Sequence, residues 1–255
     1  MEIKNLSLTL RIVLALVFLS GCNEELLDEL MNRKGLAKKA QLQEMIFVDR
    51  HYEFTYDRKG LVDRIDALER GEIIYAYDIT YKDKKLFSAA LVENGAVVSE
   101  NHDFKFDEKE NITGFTYSWY TEDVPGGVHS VYLFGYDEKN RLVEVSVDGS
   151  SSYSYSYDNR DNISEWDTFN SKVTYTYDEK FNPLNRVPDL FALLVEEQFF
   201  WEYILSEHNS VTRSEITEIR PEPQTTTFMN EYDKYFRLVR KTDQGENGFT
   251  FLYDK

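Results

Sequence analysis

The stretch Tyr153-Ser154-Tyr155-Ser156-Tyr157-Asp158 carries the pattern that decides the fold of this chain. Side chains alternate across a β-strand, so the tyrosines share one face of the strand and the serines share the other. The aspartate that ends the stretch can accept hydrogen bonds from the backbone amides that follow it, as turn residues do. The stretch therefore predicts a strand with one buried face that runs directly into a tight turn.

The same pattern of two alternating aromatic residues followed by aspartate recurs along the chain, with a polar turn and then an apolar position after it. Its copies are at 54–57, 104–107, 134–137, 155–158, 175–178 and 251–254, with shorter forms at Tyr81-Lys82 and Tyr232-Asp233. The segment after each turn also alternates, as in Val143, Val145 and Val147, which predicts a return strand. Some turn positions are expected to need a positive φ angle, and they fall near Gly60, Asn140, Asn162 and Asn182.

The repeats predict an all-β fold, an antiparallel meander of hairpins with about 15 strands. Open twisted sheets rarely exceed about 10 strands, so the sheet is expected to curl into a barrel-like form. Closure also removes exposed strand edges. A barrel of this width needs a lumen or a plug, because strand side chains alone cannot fill its interior.

A longer interval between Tyr177 and Tyr232 indicates an insertion at about 186–209, with a helix predicted over Asp189 to Leu205. Its apolar face is broad, so we expect it to be buried in the mouth or lumen of the sheet, and a partner-binding helix is the alternative. The residues of that face are Leu190, Leu193, Leu194, Phe200, Trp201, Ile204 and Leu205.

The N-terminus has the pattern of a bacterial lipoprotein signal. Lys4 and Arg11 precede a short apolar run that ends in Leu19-Ser20-Gly21-Cys22. The sequence predicts a signal peptide at 1–21, lipidation at Cys22, an acidic tether at 22–45 and a β domain at 46–255. A spanning anchor is the rival, but it needs about 20 apolar residues. The only cysteine would carry lipid, which leaves no disulfide, thiolate nucleophile or zinc ligand.

The repeat resembles the YD repeats of Rhs-type shell proteins, and together with the lipobox it resembles a family of Bacteroidota lipoproteins of unknown function. Asn182-Pro183-Leu184, followed later by the segment 205–212, is similar to that family's "NPF … LSKNNV" signature, with departures at Leu184, Ser210 and Lys82. The resemblance implies an antiparallel meander with a porin-like, barrel-forming topology, and it implies no particular activity. Asn23-Glu24-Glu25 is similar to the export tag of surface lipoproteins, although a solvated tether explains it equally well.

Bulk properties and motifs exclude several kinds of chemistry. A formal net charge of −17 argues against nucleic acid, whose phosphates are bound by Lys and Arg. The histidines at 51, 102, 129 and 208 are scattered, so neither a metal nor another cofactor is expected. The segment Asp158 to Asn162 resembles a calcium loop, but turn chemistry accounts for it. A transmembrane barrel remains a rival interpretation, because its strands also alternate.

The sequence therefore predicts a non-enzymatic lipoprotein of the outer membrane, anchored through Cys22 on the cell surface or the periplasmic face. Its expected ligand is a glycan or an envelope protein, with Trp119, Tyr120 and Trp166 as ligand-binding aromatics. An alternative is a structural component of an outer-membrane complex that uses the inserted helix as its contact. A third is a hydrolase of surface polysaccharide, which needs two facing carboxylates that the sequence alone cannot identify.

Overall fold

The computed structural model describes residues 41–47, 50–121, 123–187, 189–193, 204–243 and 248–253. The predicted signal peptide, the lipidation site at Cys22 and residues 194–203 of the predicted helix lie outside these ranges. The described residues form a single sheet of 17 strands.

The first strands are β1 (Leu42–Phe47), β2 (Arg50–Tyr56), β3 (Val62–Glu69), β4 (Glu72–Lys82), β5 (Lys85–Glu93), β6 (Ala96–Phe106), β7 (Ile112–Thr121) and β8 (Val124–Tyr136). The remaining strands are β9 (Leu142–Val147), β10 (Ser150–Tyr157), β11 (Ile163–Thr168), β12 (Ser171–Phe181), β13 (His208–Thr217), β14 (Arg220–Thr227), β15 (Met229–Tyr232), β16 (Leu238–Thr242) and β17 (Gly248–Tyr253). A 3-10 turn (Leu184–Arg186) and helix α1 (Leu190–Leu193) lie between β12 and β13.

The sheet is an antiparallel meander that curls into a nearly closed barrel, as the repeats predict. Strand β1 pairs with β2 on one side and with β17 on the other, which joins the two ends of the meander. Phe228 separates β14 from β15. Strand β14 pairs with β13, and β15 pairs with β16. The strands outnumber the predicted 15 or so partly because β1 lacks the aromatic-aspartate pattern. It begins at Leu42, inside the segment assigned to the tether.

The repeat turns share one hydrogen-bonding scheme. In the first turn, the Asp57 amide donates to the Leu61 carbonyl at 2.8 Å, and the Gly60 amide donates to the Asp57 carbonyl at 3.0 Å. The Asp57 carboxylate accepts from the amides of Lys59 at 2.7 Å and Leu61 at 3.0 Å. The same backbone bonds recur in the turns that begin at Asp107, Asp137, Asp158 and Asp233. We call these the Asp turns, and they lie at one end of the barrel.

The fourth residue of each Asp turn has a left-handed backbone. Gly60 and Asn140 adopt φ angles of 81° and 71°, as predicted. Near Asn162 the positive φ falls on the preceding residue, and only the prediction near Asn182 is wrong. Asp161, with a φ of 61°, takes the left-handed position in its turn, and the Asn162 carboxamide oxygen accepts from the His208 amide at 2.8 Å. The Asn182 carboxamide oxygen accepts from the Leu184 amide at 3.1 Å.

Tyrosine hydroxyls connect successive repeats at the same end of the barrel. Each donates to the carbonyl of an apolar residue that begins a strand of the preceding hairpin. The pairs are Tyr56 with Leu42 at 2.6 Å, Tyr136 with Ile112 at 2.8 Å, Tyr157 with Leu142 at 2.7 Å, Tyr177 with Ile163 at 2.8 Å, and Tyr253 with Leu238 at 2.6 Å. The second aromatic of the pattern therefore packs in the core and also bonds to the neighbouring repeat.

Helix α1 is buried in the barrel interior. Leu190, Ala192 and Leu193 are each 0 % exposed. The side-chain amide of Asn101, a buried residue of β6, donates to the Ala192 carbonyl at 2.8 Å. Phe191 packs edge-on against Phe134 of β8, with ring centroids 5.5 Å apart. The described part of the predicted helix thus acts as a plug fixed to the inner face of the sheet.

Candidate functional site

The predicted ligand-binding aromatics do not lie together. Trp119 and Tyr120 are adjacent in β7 and are 50 % and 37 % exposed. Trp166 lies in β11, where its ring packs against Tyr153 and Tyr155 at centroid distances of 6.1 and 6.3 Å. Its indole nitrogen is buried and has no hydrogen-bond partner among the described residues. Trp166 therefore belongs to the core, and Tyr120 is the one of the three that lines the cleft described next.

A bulge in β6 separates this strand from β5. Asp103 adopts a φ of 55°, which is uncommon for a residue with a side chain, and the pairing of β6 with β7 shifts between His102 and Lys105. The pairing of β5 with β6 reaches only as far as Ala89 and Asn101. Beyond that point, residues 85–88 and 102–106 are not paired with each other. Bulges of this kind redirect side chains and end strand pairing.

The separated segments border a cleft of about 840 Å³, which we call the wall cleft. Its aromatic lining consists of Phe87, Phe104, Phe106 and Tyr120, and its polar lining includes Lys82, Lys85, Glu100, His102 and Asp103. Phe87 is 57 % exposed. A concave site that joins aromatic side chains with a few convergent polar groups is typical of a ligand-binding pocket.

The charges around the wall cleft are of both signs. The Lys85 ammonium group is 3.3 Å from a Glu110 carboxylate oxygen and 5.3 Å from the centre of the Phe106 ring. Glu100 and Asp103 contribute carboxylates on the opposite strand. Such a lining offers both donors and acceptors to a polar ligand, while the rings offer flat apolar faces.

A serine and two histidines meet on the strands beside the wall cleft. The Ser118 hydroxyl in β7 is 2.8 Å from His102 Nε2 in β6 and 2.7 Å from His129 Nδ1 in β8. His102 Nδ1 is 3.0 Å from a carboxylate oxygen of Asp103. Ser118 is 0 % exposed, whereas His129 is exposed. The sequence presents these histidines as scattered, because the strand register that joins them is not visible in it.

The other two histidines have structural partners. His51 Nε2 lies 2.9 Å from a carboxylate oxygen of Glu44. His208 contacts Asn162 at 3.0 Å and stacks on Phe181. Within the described ranges, no group of three or more His, Cys, Asp or Glu side chains could hold a metal ion.

The segment resembling a calcium loop is an Asp turn. One Asp158 carboxylate oxygen accepts from the amides of Arg160 at 2.8 Å and Asn162 at 3.0 Å. These bonds hold the pKa of Asp158 below its usual value, although partial burial acts in the opposite direction and is the largest single influence. The carboxylate is therefore occupied by the turn itself.

A second cleft, of about 360 Å³, lies between the Asp turns and the plug. Most of its polar groups bind one another. Asn111 and Asn140 exchange side-chain hydrogen bonds of 2.5 and 2.8 Å, and Arg141 contacts Asp137 at 2.6 Å and Asp161 at 2.9 Å. Burial raises the pKa of Asp189, which precedes α1. This cleft is a joint between repeats, and the wall cleft is the better candidate for a ligand.

The fold defines a class of all-β proteins in which aromatic hairpins form a nearly closed, plugged barrel. A porin-like protein from Bacteroides uniformis is similar to it, with a TM-score of 0.54 and 15% identity over 84% of this chain and 96% of that one. A porin-like protein from Bacteroides vulgatus gives a TM-score of 0.43 and 11% identity, covering 84% and 99% of the two chains. A Tc holotoxin pore from Photorhabdus luminescens gives 0.34 and 10%, covering 81% of this chain and 12% of that one.

In sequence, the chain matches no protein-family model and no curated protein. The similarity to the Bacteroides uniformis structure therefore concerns the fold. Within its described ranges, the chain contains no helix with the length and apolarity that crossing a bilayer requires.

Proposed function

We propose that this protein is a lipid-anchored envelope protein that binds a glycan in the wall cleft. The observation that carries the proposal is the wall cleft itself, in which exposed Phe87 and Tyr120 lie beside the polar groups of Glu100, His102 and Asp103. The apolar faces of sugar rings pack on aromatic side chains, and their hydroxyl groups bond to carboxylates, imidazoles and ammonium groups. This lining offers both kinds of contact within one concavity.

The N-terminal sequence supports the anchored location. The lipobox ends at Cys22, and the described chain enters the barrel at the end that carries the Asp turns, where the Leu42 carbonyl accepts from Tyr56. The porin-like name of the Bacteroides uniformis protein is compatible with a place in the envelope. We expect Cys22→Ser to move the protein from the membrane fraction to the soluble fraction, whereas the wild type stays with the membranes.

The outer wall favours contact with water over contact with lipid. Arg64 bridges Asp66 at 2.7 Å and Asp78 at 2.5 Å, and Lys172 lies 2.8 Å from Glu165, all on partly exposed side chains. A charge on a lipid-facing strand costs about 2–4 kcal/mol at the middle of a bilayer. These ion pairs therefore support a tethered barrel over a transmembrane one.

The test is binding of the purified barrel to a panel of bacterial surface polysaccharides, followed by calorimetry. We expect Tyr120→Ala and Phe87→Ala each to weaken binding by about fivefold or more, because an aromatic face contributes about 1 kcal/mol. Phe169→Ala is the matched control, since Phe169 is 92 % exposed in the hairpin between β11 and β12 and does not line the wall cleft. Equal affinity in all three variants would exclude the wall cleft as the site.

A second candidate function, docking to an envelope protein, has support in a different region. Exposed apolar side chains lie on several hairpins at the end of the barrel opposite the Asp turns, among them Ile73, Phe169 and Ile219 at 56, 92 and 92 % exposure. The predicted contact through the inserted helix is wrong for its described part, because Leu190 and Leu193 are buried. If docking is the function, Phe169→Ser with Ile219→Ser should abolish co-purification of the partner and leave glycan binding intact.

A further inference from the structure

We infer that Ser118, His102 and Asp103 form a serine nucleophile site for acyl transfer, covered in this conformation by His129. The geometry is that of a nucleophile, a base and an orienting group. The Ser118 hydroxyl is 2.8 Å from His102 Nε2, and the other ring nitrogen of His102 is 3.0 Å from Asp103 Oδ2. A hydroxyl within hydrogen-bond reach of a base that is itself oriented by a third group is the arrangement used by activated serines on unrelated folds.

The contacts are consistent with one arrangement of protons. A carboxylate oxygen beside His102 Nδ1 favours the tautomer with hydrogen on that nitrogen, because two lone pairs would otherwise face each other. His102 Nε2 is then an acceptor, and the Ser118 hydroxyl donates to it. Since that hydroxyl has a single hydrogen, Ser118 must accept from His129 Nδ1, 2.7 Å away. In this tautomer the proton on Ser118 points at the base that would remove it.

Access to Ser118 depends on His129. Ser118 is 0 % exposed under the two imidazole rings, but the His129 ring is exposed and is held by its contact with Ser118. Rotation of an exposed side chain is fast and inexpensive. His102 and Asp103 also line the wall cleft, so an ester held there would lie beside the base. The left-handed backbone of Asp103 lies within the bulge of β6 that places Asp103 beside His102.

The reaction follows from these roles. The Ser118 oxygen bonds to the acyl carbon of an ester while its proton passes to His102 Nε2, and the carbon–oxygen bond to the alcohol then breaks. The proton on His102 goes to the departing alkoxide. Water repeats the sequence against the acyl-serine, and it returns Ser118 and releases the carboxylic acid. Asp103 is a positioning residue in this scheme, because it acts through His102.

The inference goes beyond glycan binding and can be tested without a glycan. Purified protein is treated with a fluorophosphonate, in which the serine oxygen bonds to phosphorus, fluoride leaves and the proton goes to His102. We expect His129→Ala to increase the labelling rate of Ser118 by about tenfold or more, as read by peptide mass spectrometry. In the His129→Ala background, His102→Ala should reduce that rate by about 100-fold, the usual contribution of a general base.

Two controls separate nucleophilic from structural roles. Ser214→Ala should leave labelling unchanged, because Ser214 bonds to Thr225 at 2.9 Å on another strand and has no histidine beside it. Asp103→Asn should slow labelling and shift the nitrogen NMR signals of His102 away from the Nδ1–H tautomer, which a residue that only shapes the bulge would not do.

If Ser118 stays unlabelled in folded His129→Ala protein, or is labelled at the same rate without His102, the inference is wrong. Labelling without glycan binding would overturn only the proposed function.

Discussion

Tyr157 shows how one side chain serves both the core and the joint between repeats. Its hydroxyl donates to the Leu142 carbonyl at 2.7 Å, and the Arg141 guanidinium lies over its ring at 4.6 Å. Burial raises the pKa of Tyr157 far above its ordinary 10.0, so the hydroxyl remains a hydrogen-bond donor throughout the neutral range. A phenylalanine, such as Phe106 in the corresponding position of another repeat, fills the same space without this bond.

Tyrosine-to-phenylalanine variants test the bond directly. Tyr157→Phe should lower the free energy of unfolding by about 1 kcal/mol, because the Leu142 carbonyl loses its donor. Tyr81 is the matched control, since its hydroxyl is buried without a hydrogen-bond partner among the described residues. Tyr81→Phe should be neutral or stabilising, because it removes an unsatisfied polar group. Urea denaturation measures both values, and an equal loss in the two variants would contradict a role for the inter-repeat bond.

At the level of secondary-structure elements, the plug stabilises the barrel through apolar burial. Leu193 in α1 is 0 % exposed, and the neighbouring carbonyl of Ala192 is held by Asn101. Leu193→Ala should lower the free energy of unfolding by about 2–5 kcal/mol, the usual cost of a cavity at a buried leucine. Leu252→Ala, at a leucine that is 44 % exposed on β17, should cost much less. Similar losses in the two variants would mean that α1 is not packed against the sheet.

The sequence predicts the hairpins and the inserted helix, but it does not predict where neighbouring hairpins separate. The strand and turn of each hairpin are encoded locally, because alternating tyrosines place one face in the core and Asp57 or Asp158 bonds to its own turn. The inserted helix was predictable from its apolar residues, and the structure confirms the burial of Leu190 and Leu193. Where neighbouring hairpins separate was not predictable, because the local sequence does not show that Asp103 adopts a left-handed backbone inside a strand rather than in a turn.

The candidate site depends on long-range register, which explains why only part of it was predicted. Tyr120 could be singled out as an aromatic residue of β7, and it does line the wall cleft. His102 and His129 lie on different strands, and both reach Ser118 only because the pairings of β6, β7 and β8 place His129 opposite it and His102 diagonally next to it. A one-residue change in either pairing would move a histidine to the other face of the sheet. Trp166 was predicted as a ligand residue, but its position opposite Val173 in the sheet places it against the core tyrosines.

At the scale of the whole molecule, the Asp turns couple stability to acid pH. The Leu61 amide holds the pKa of Asp57 below its ordinary 3.8, and the Asn111 side chain does the same for the pKa of Asp107. A lowered folded pKa contributes stability above the unfolded value, and this is lost as the pH falls through the folded value. The free energy of unfolding should therefore decrease below about pH 4. In urea titrations, Asp57→Asn with Asp107→Asn should weaken this acid dependence, and an unchanged dependence would place its origin elsewhere.

The tyrosines of the inter-repeat bonds couple stability to alkaline pH, because the stability that they contribute is lost as the pH rises rather than as it falls. Burial raises the pKa of Tyr136, Tyr157 and Tyr253 above the ordinary 10.0. The unfolded chain then loses these protons first, so the stability they contribute is complete below about pH 10 and is lost as the pH rises towards the folded values. Each such tyrosine should steepen the decline by up to about 1.4 kcal/mol per pH unit.

Urea denaturation between about pH 9 and pH 11, with tyrosinate absorbance recorded in parallel, measures that slope. Tyr157→Phe should reduce the slope of the unfolding free energy against pH by about the contribution of one proton. Tyr235→Phe should leave the slope unchanged, because Tyr235 lies in an Asp turn and donates to no neighbouring repeat in the described structure. The folded wild type should also show little tyrosinate from these residues until the barrel opens. Ionisation of the buried tyrosines before unfolding would show that the joints between the repeats are open to water.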